Sequence, residues 1–172
     1  GDSVALLHIL VARGNGLRAV TIDHGLRDES ADEAAQVAVL CRHLGVPHTV
    51  LKWEGWDKSG NLQDAARQAR LRLSATWAAE ENITHIATGH TLDDQAETVL
   101  LRLARGSGVD GLSGMAARRT AGPLVWVRPL LHARRDELRA YLVEKNIEWI
   151  DDPSNDDPKY DRVKARQALA IL

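Results

Sequence analysis

Apolar positions recur along this chain with two alternating periods. Val4, Leu7, His8 and Val11 return every three or four residues, the spacing of one helix face, and the run stops near Gly14-Asn15-Gly16. The next stretch, LRAVTID, alternates apolar and polar as a half-buried strand does, and closes at Asp23-His24-Gly25. Ser30 followed three residues on by Glu33 is a capping-box pattern, and Ala34, Val37, Ala38 and Cys41 form the stripe of a helix reaching Gly45. PHTVLKW reads as a second strand, and Asn61 caps a long helix, LQDAARQARLRLSATWAAEE. THIATGH is a third strand, followed by a helix over TLDDQAETVLLRLA. Beyond Gly106 and Gly108 a glycine-rich loop leads to a strand, PLVWVRPLL, and then to a helix, RRDELRAYLVEKN. A short strand-like IEWI, a turn-rich DDPSNDDPKY and a last helix complete the pattern.

Strands that alternate with helices predict an α/β fold: a doubly wound, mainly parallel sheet with helices on both faces, Rossmann-like, in a single domain over 1–172. In such sheets ligands gather beyond the carboxyl ends of the strands, beside helix N-termini. The polar residues fall where that rule needs them. Gly1-Asp2-Ser3 opens the first helix, Asp23-His24-Gly25 ends the first complete strand, Gly89-His90 ends the third and His132 follows the fourth. One rim is predicted to collect them.

Composition changes this picture little. At 172 residues, 44% hydrophobic and 27% charged, the chain has the makeup of a folded domain, with no run of about 20 apolar residues to cross a membrane. The opening apolar run lacks a basic lead and a cleavage site, so no signal peptide is expected. A single cysteine, Cys41, excludes a disulfide framework or a CxxC site within the chain and suits a reducing cytoplasm. Net charge is -2, yet the bases are mostly arginines in small clusters: Arg67, Arg70 and Arg72; Arg102 and Arg105; Arg118 and Arg119; Arg134 and Arg135; Arg162, Lys164 and Arg166. Any nucleic-acid partner is therefore touched locally.

The chemistry concentrates in GHTLDDQAET. Thr91 with Asp94 matches a capping box, and acids in a first turn favour the helix dipole by ~0.3–1 kcal/mol each. Asp93 and Asp94, however, lie four and three residues before Glu97, so all three acids crowd one face beside His90. A cap needs one or two of them. The surplus suits Mg²⁺, an ammonium group or a proton. Gly1-Asp2-Ser3 is equally a helix start and a phosphate cradle. Gln63, Arg67 and Arg70 share a face that is either solvated or phosphate-binding. No two histidines have a zinc spacing, no metal ligand is assigned, and the five tryptophans read as packing.

Five of these stretches, in order, carry a resemblance: TIDHGLR, GNLQDAARQARLR, GHTLDDQAETVLLRLARGSGVDGLSGM, VRPLL and DDPSNDDPKYDR. Together they resemble the tRNA(Ile)-lysidine synthetase family of the PP-loop, or N-type ATP pyrophosphatase, superfamily. The fold so implied is adenine nucleotide alpha hydrolase-like. Gly1-Asp2-Ser3 looks like the end of that superfamily's SGGxDS loop, so the resemblance implies a chain truncated at its N-terminal strand and phosphate loop, with C-terminal tRNA-binding domains absent. It also implies ATP and Mg²⁺, L-lysine, and tRNA(Ile) with a CAU anticodon as partners. The wobble cytidine is adenylated at O2, and the ε-amine of lysine then displaces AMP from C2. The enzyme implied is cytoplasmic and not membrane-bound, with a homodimer as a candidate assembly.

Carried onto this chain, the resemblance gives a catalytic set of Asp2, His90, Asp94 and Glu97. Gly1, Asp2, Ser3, Ile22, Asp23, Arg67, Arg70, Gly89 and His90 would hold ATP, and Asp94 with Glu97 would hold lysine. Arg162 and Arg166 would contact phosphate or tRNA, although Val163 stands where the family pattern has asparagine. Three alternatives stay open. Another PP-loop enzyme, thiolating tRNA or forming an amide, shares the fold, but a thiolation enzyme would usually show a catalytic cysteine or CxxC pair. A nucleotide-binding module without catalysis has no need of Asp94 and Glu97 beside phosphates. A dinucleotide dehydrogenase would want GxGxxG, which is missing.

Overall fold

The computed structural model describes residues 1–14, 16–25, 30–54, 56, 60–150 and 161–171. They fall into two compact units, Ile9–His85 and a discontinuous one made of Gly1–His8 with Ile86–Leu172. The first helix, α1 (Asp2–Arg13), begins in the discontinuous unit and continues into the other.

The 9–85 unit is built from β1 (Ala19–Asp23), α2 (Ser30–His43), β2 (His48–Lys52) and α3 (Leu62–Glu80). β1 and β2 pair in parallel, from Ala19 opposite His48 to Asp23 opposite Lys52. A parallel pair needs a crossover, which α2 supplies. The buried residues of α2 and α3 are mostly small: Ala34, Cys41, Ala66, Ala69 and Ala78, with Trp77 as the one bulky member. Asn61 caps α3 as predicted, its Oδ1 accepting from the amides of Gln63 at 2.9 Å and Asp64 at 3.3 Å. Ser30 departs from its expected capping role. It is the first helical residue of α2, and its hydroxyl donates to Asp23 Oδ1 at 2.8 Å.

The other unit holds β3 (His85–Ala87), α4 (Leu92–Ala104), α5 (Val109–Leu112), β4 (Arg118–Ala121), β5 (Leu124–Val127), α6 (Arg135–Glu144) and α7 (Asp161–Leu169). Its strands run in the order β3-β5-β4. Leu124, Val125 and Trp126 are all buried, which explains the unbroken apolar run of β5. β4 was invisible to the apolar pattern because each of its residues, Arg118 to Ala121, is exposed. It is the antiparallel half of a hairpin that turns through Gly122 at φ 58°, a left-handed conformation that glycine adopts without strain.

Two further expectations change. The loop after Gly108 contains the one-turn helix α5, and residues 147–150, read as strand-like, form no strand. The turn-rich 151–160 stretch lies outside the described residues. α7 packs along α4 and buries Val163 and Ala165. Val163 is thus a core residue of this helix pair.

Candidate functional site

Gly89 brings two chain segments together. A Cβ there would lie 3.1 Å from the backbone N and Cα of Ser3 and 3.2 Å from the carbonyl carbon of Asp2. Only glycine allows the end of β3 to approach the first turn of α1 so closely. That turn starts at Gly1, whose carbonyl accepts from Ala5 N–H at 3.0 Å, so the amides of Asp2 and Ser3 lie at a helix N-terminus suited to an anion. Next along, His90 Nδ1 shares a hydrogen bond of 2.8 Å with Thr88 Oγ1. Thr88 was not singled out from the sequence; it steadies the imidazole at the strand end.

The acids of α4 divide their work. Thr91 is fully buried and caps the helix: its Oγ1 accepts from Asp94 N–H at 3.3 Å, while Asp94 Oδ2 accepts from Thr91 N–H at 2.8 Å. Asp94 Oδ1 is left for other partners, with Arg135 Nη2 at 3.4 Å and Arg162 Nη1 at 3.6 Å. One carboxylate is therefore both cap and site. Asp93 has a structural task that its spacing did not reveal, since its Oδ2 accepts from the backbone N–H of Arg135 at 2.7 Å and ties α4 to the start of α6.

Glu97 stands apart. Its side chain is 1% exposed, yet a carboxylate is costly to bury without partners. Oε1 accepts from Arg166 Nε at 2.9 Å and lies 3.6 Å from Arg135 Nη1. Oε2 is buried with no hydrogen-bond partner among the described residues. A buried acceptor left unused is an exception in folded proteins, and a cationic or donor ligand would satisfy it.

Arg135 is the residue that sequence reasoning missed. Its Nε donates to Asp2 Oδ2 at 3.1 Å, so one guanidinium reaches Asp2, Asp94 and Glu97. Burial alone would lower its pKa, but the hydrogen bond and charge of Asp2, with the charges of Asp94 and Glu97, raise it above its ordinary value. A signal did exist. Arg135 opens α6, where the helix dipole disfavours a cation, so α6 itself gives no reason for an arginine there. Arg162 and Arg166, predicted to meet phosphate or RNA, face Asp94 and Glu97 here. The neighbouring glycine-rich loop is also held to α4. Gln95 bonds both backbone groups of Met115, and Arg102 donates to the carbonyls of Gly111 and Gly114.

Ile22, Asp23, Arg67 and Arg70 lie in the 9–85 unit. Asp23 is buried and its Oδ1 accepts from both Gly25 N–H at 2.9 Å and Ser30 Oγ, which hold its pKa below the ordinary value. This carboxylate shapes the turn after β1. His24 packs edge-on to Trp53 at 5.6 Å, and its pKa is lowered by burial and by the charge of Arg70. Arg70 therefore lies near the carboxyl end of β1, and both it and Arg67 on the same helix are exposed. A hollow in this unit is lined by Leu17, Leu44, Val46 and Pro47, at the opposite, amino-terminal ends of the strands. It is remote from Asp23 and His24 along β1. Among the described residues no group of three or more His, Cys, Asp or Glu could hold a metal ion unaided.

The tRNA(Ile)-lysidine synthase of Ruegeria pomeroyi is 55% identical over 100% of this chain and 42% of its own length. Those of a Bradyrhizobium species and Rhodopseudomonas palustris are each 44% identical over 99% of this chain, and 49% and 51% of their own lengths. The chain thus spans about half the length of the curated relatives it matches. Among solved structures, the U34-tRNA thiolase NcsA from Methanococcus maripaludis, with its [4Fe-4S] cluster, superposes with a TM-score of 0.81. At 18% identity it covers 99% of this chain and 62% of its own, a likeness that shows the expected α/β fold. The PP-loop domain family matches residues 1–171, and the chain belongs to that family.

Proposed function

We propose that this chain is the ATP-binding catalytic domain of a tRNA(Ile)-lysidine synthase, acting within a longer enzyme in the cytoplasm. ATP, L-lysine and the CAU anticodon of tRNA(Ile) are its substrates. The observation that carries the reading is Glu97, a buried carboxylate with one oxygen unused, joined through Arg135 to the helix start at Asp2. An ammonium group is the ligand such an oxygen suits, and a phosphate is what the helix start suits.

In this reading the amides of Asp2 and Ser3, with His90, hold the phosphates while O2 of the cytidine attacks the α-phosphorus and pyrophosphate leaves. The family resemblance also assigns Ile22, Asp23, Arg67 and Arg70, all of the 9–85 unit, to ATP. Mg²⁺ would arrive with the nucleotide, since it is usually held by one or two carboxylates together with phosphates; Asp2 is the carboxylate at the cradle. Asp94 and Glu97 bind the lysine ammonium. The amine, once deprotonated, attacks C2 of the cytidine, the C–N bond forms, and AMP leaves with the C–O bonding pair. Burial around Glu97 limits competition from water at that step.

The thiolase likeness does not extend to sulfur chemistry on this chain. Cys41 is its single cysteine, buried within α2, and burial raises its pKa, so the thiolate a nucleophile needs is disfavoured. No helix among the described residues is long and apolar enough to cross a membrane. Incubating the full-length enzyme with ATP, tRNA(Ile) and labelled lysine should label the tRNA only when ATP is present. Unlabelled tRNA would overturn the reading. Sedimentation of the same sample distinguishes a monomer from a homodimer.

A further inference from the structure

Three carboxylates in this site meet three guanidiniums. Asp2, Asp94 and Glu97 face Arg135, Arg162 and Arg166, while Asp93 is taken up by the backbone at the start of α6. Among the described residues the pair assigned to lysine is thus already neutralised before any ligand arrives. An ammonium entering such a cluster gains little, because the charge it seeks is spent on arginine. Yet Glu97 Oε2 lies buried and unused, so the cluster keeps an acceptor that its own cations leave unfilled.

The three arginines are not equivalent. Arg162 and Arg166 come from α7, and each pairs with the α4 acid beside it. Arg135 alone spans both sides, with Nε on Asp2 at the phosphate cradle and its two Nη atoms 3.4 and 3.6 Å from Asp94 and Glu97. Its contacts to the lysine-side acids are the long ones, and its short contact points toward the cradle. A polyphosphate at the start of α1 presents a stronger anion on the side where Arg135 already makes that short contact, and the planar guanidinium can fork onto two phosphate oxygens at once.

We propose that Arg135 is a positioning residue that couples the two subsites: nucleotide draws its guanidinium toward the cradle, and Asp94 and Glu97, then facing one cation fewer, take the lysine ammonium beside Arg162 and Arg166. This rests on the lysidine synthase reading of the site. It makes nucleotide favour the binding of lysine. By linkage, lysine must tighten nucleotide by the same factor.

Equilibrium dialysis of labelled lysine against the full-length enzyme, with and without an α,β-methylene ATP analogue and Mg²⁺, tests the inference. Wild type should bind lysine at least about tenfold more tightly with the analogue present, a factor within the usual range of coupling between sites. Arg135→Gln should bind lysine without nucleotide, and its ratio should fall to about one. Arg135→Lys keeps a point charge that cannot span three acids, so its ratio should fall between the two; it decides the matter if the glutamine variant melts early. A wild-type ratio of one overturns the coupling, as does an unchanged ratio in a folded variant. Lysine that fails to bind in any state, while the analogue binds, would instead overturn the lysine-site reading itself.

Discussion

At the scale of single residues, the site turns on oxygens rather than on acids as wholes. Asp94 gives Oδ2 to the helix cap and Oδ1 to the arginines, and Glu97 gives Oε1 to Arg166 and keeps Oε2. Glu97→Gln retains the shape but removes the charge that an ammonium needs. A hydrogen bond involving a charged group is worth about 1.5–3 kcal/mol, so the KM for lysine should rise about ten- to a hundredfold. ATP binding, measured separately, should change far less; an equal loss of both would place Glu97 in the nucleotide site or the fold. Gly89 makes the opposite kind of demand. Gly89→Ala pushes a methyl against the Ser3 backbone, which is not a flexible side-chain end that can swing away. Overpacking of this kind costs about 1–3 kcal/mol, read as a lower melting temperature, with weaker nucleotide affinity beside it.

Elements show which sequence signals are reliable. The α3 cap at Asn61 and the Thr91–Asp94 box were legible because capping is local chemistry, settled within four residues. Thr91→Ala should therefore lower stability by about 1 kcal/mol, and Thr91→Ser should recover most of it; urea denaturation measures both. β4 was not legible. Its four residues are exposed, and it gains strand form from pairing with β5, a partner that periodicity does not register. The same limit explains IEWI, whose alternation looks strand-like although residues 147–150 join no ladder. Arg135 was missed for a related reason: its neighbours Asp2 and Asp94 are 133 and 41 residues away, and a window of sequence weighs only the Asp136 and Glu137 beside it. Asp93 is the converse case, an acid whose surplus looked functional until its bond to α6 gave it a structural role.

For the molecule as a whole, acid works against the fold. Burial lowers His8, His24 and His48 below the ordinary histidine value of 6.5, and Asp23 lies below 3.8, chiefly through its hydrogen bond from Gly25. An unfolded histidine takes up its proton near that ordinary value, while the folded one resists, so unfolding absorbs protons. The histidines' contribution is complete above pH about 6.5 and declines as pH falls through their lower folded values; that of Asp23 is lost further down. Urea midpoints should hold steady from pH about 8 to 7 and fall as pH drops below about 6.5; a midpoint that rises on acidification contradicts this. His24→Asn should flatten part of that slope.

The separation of Asp2 from Arg135 bears on how the protein comes into being. The two residues are bonded but 133 positions apart, and Glu97 waits another 69 positions for Arg166. At ~5–20 residues per second, Arg166 leaves the ribosome on the order of ten seconds after the first turn of α1. Through that interval the stretch Ile9–His85 can collapse on local contacts, whereas the acids have no cations to meet and the closing contacts carry a large loop entropy. The chemistry therefore cannot begin before the chain has been made as far as Arg166. A ribosome that halts short of residue 135 releases a chain with the nucleotide turn and the acids already made, and nothing to join them.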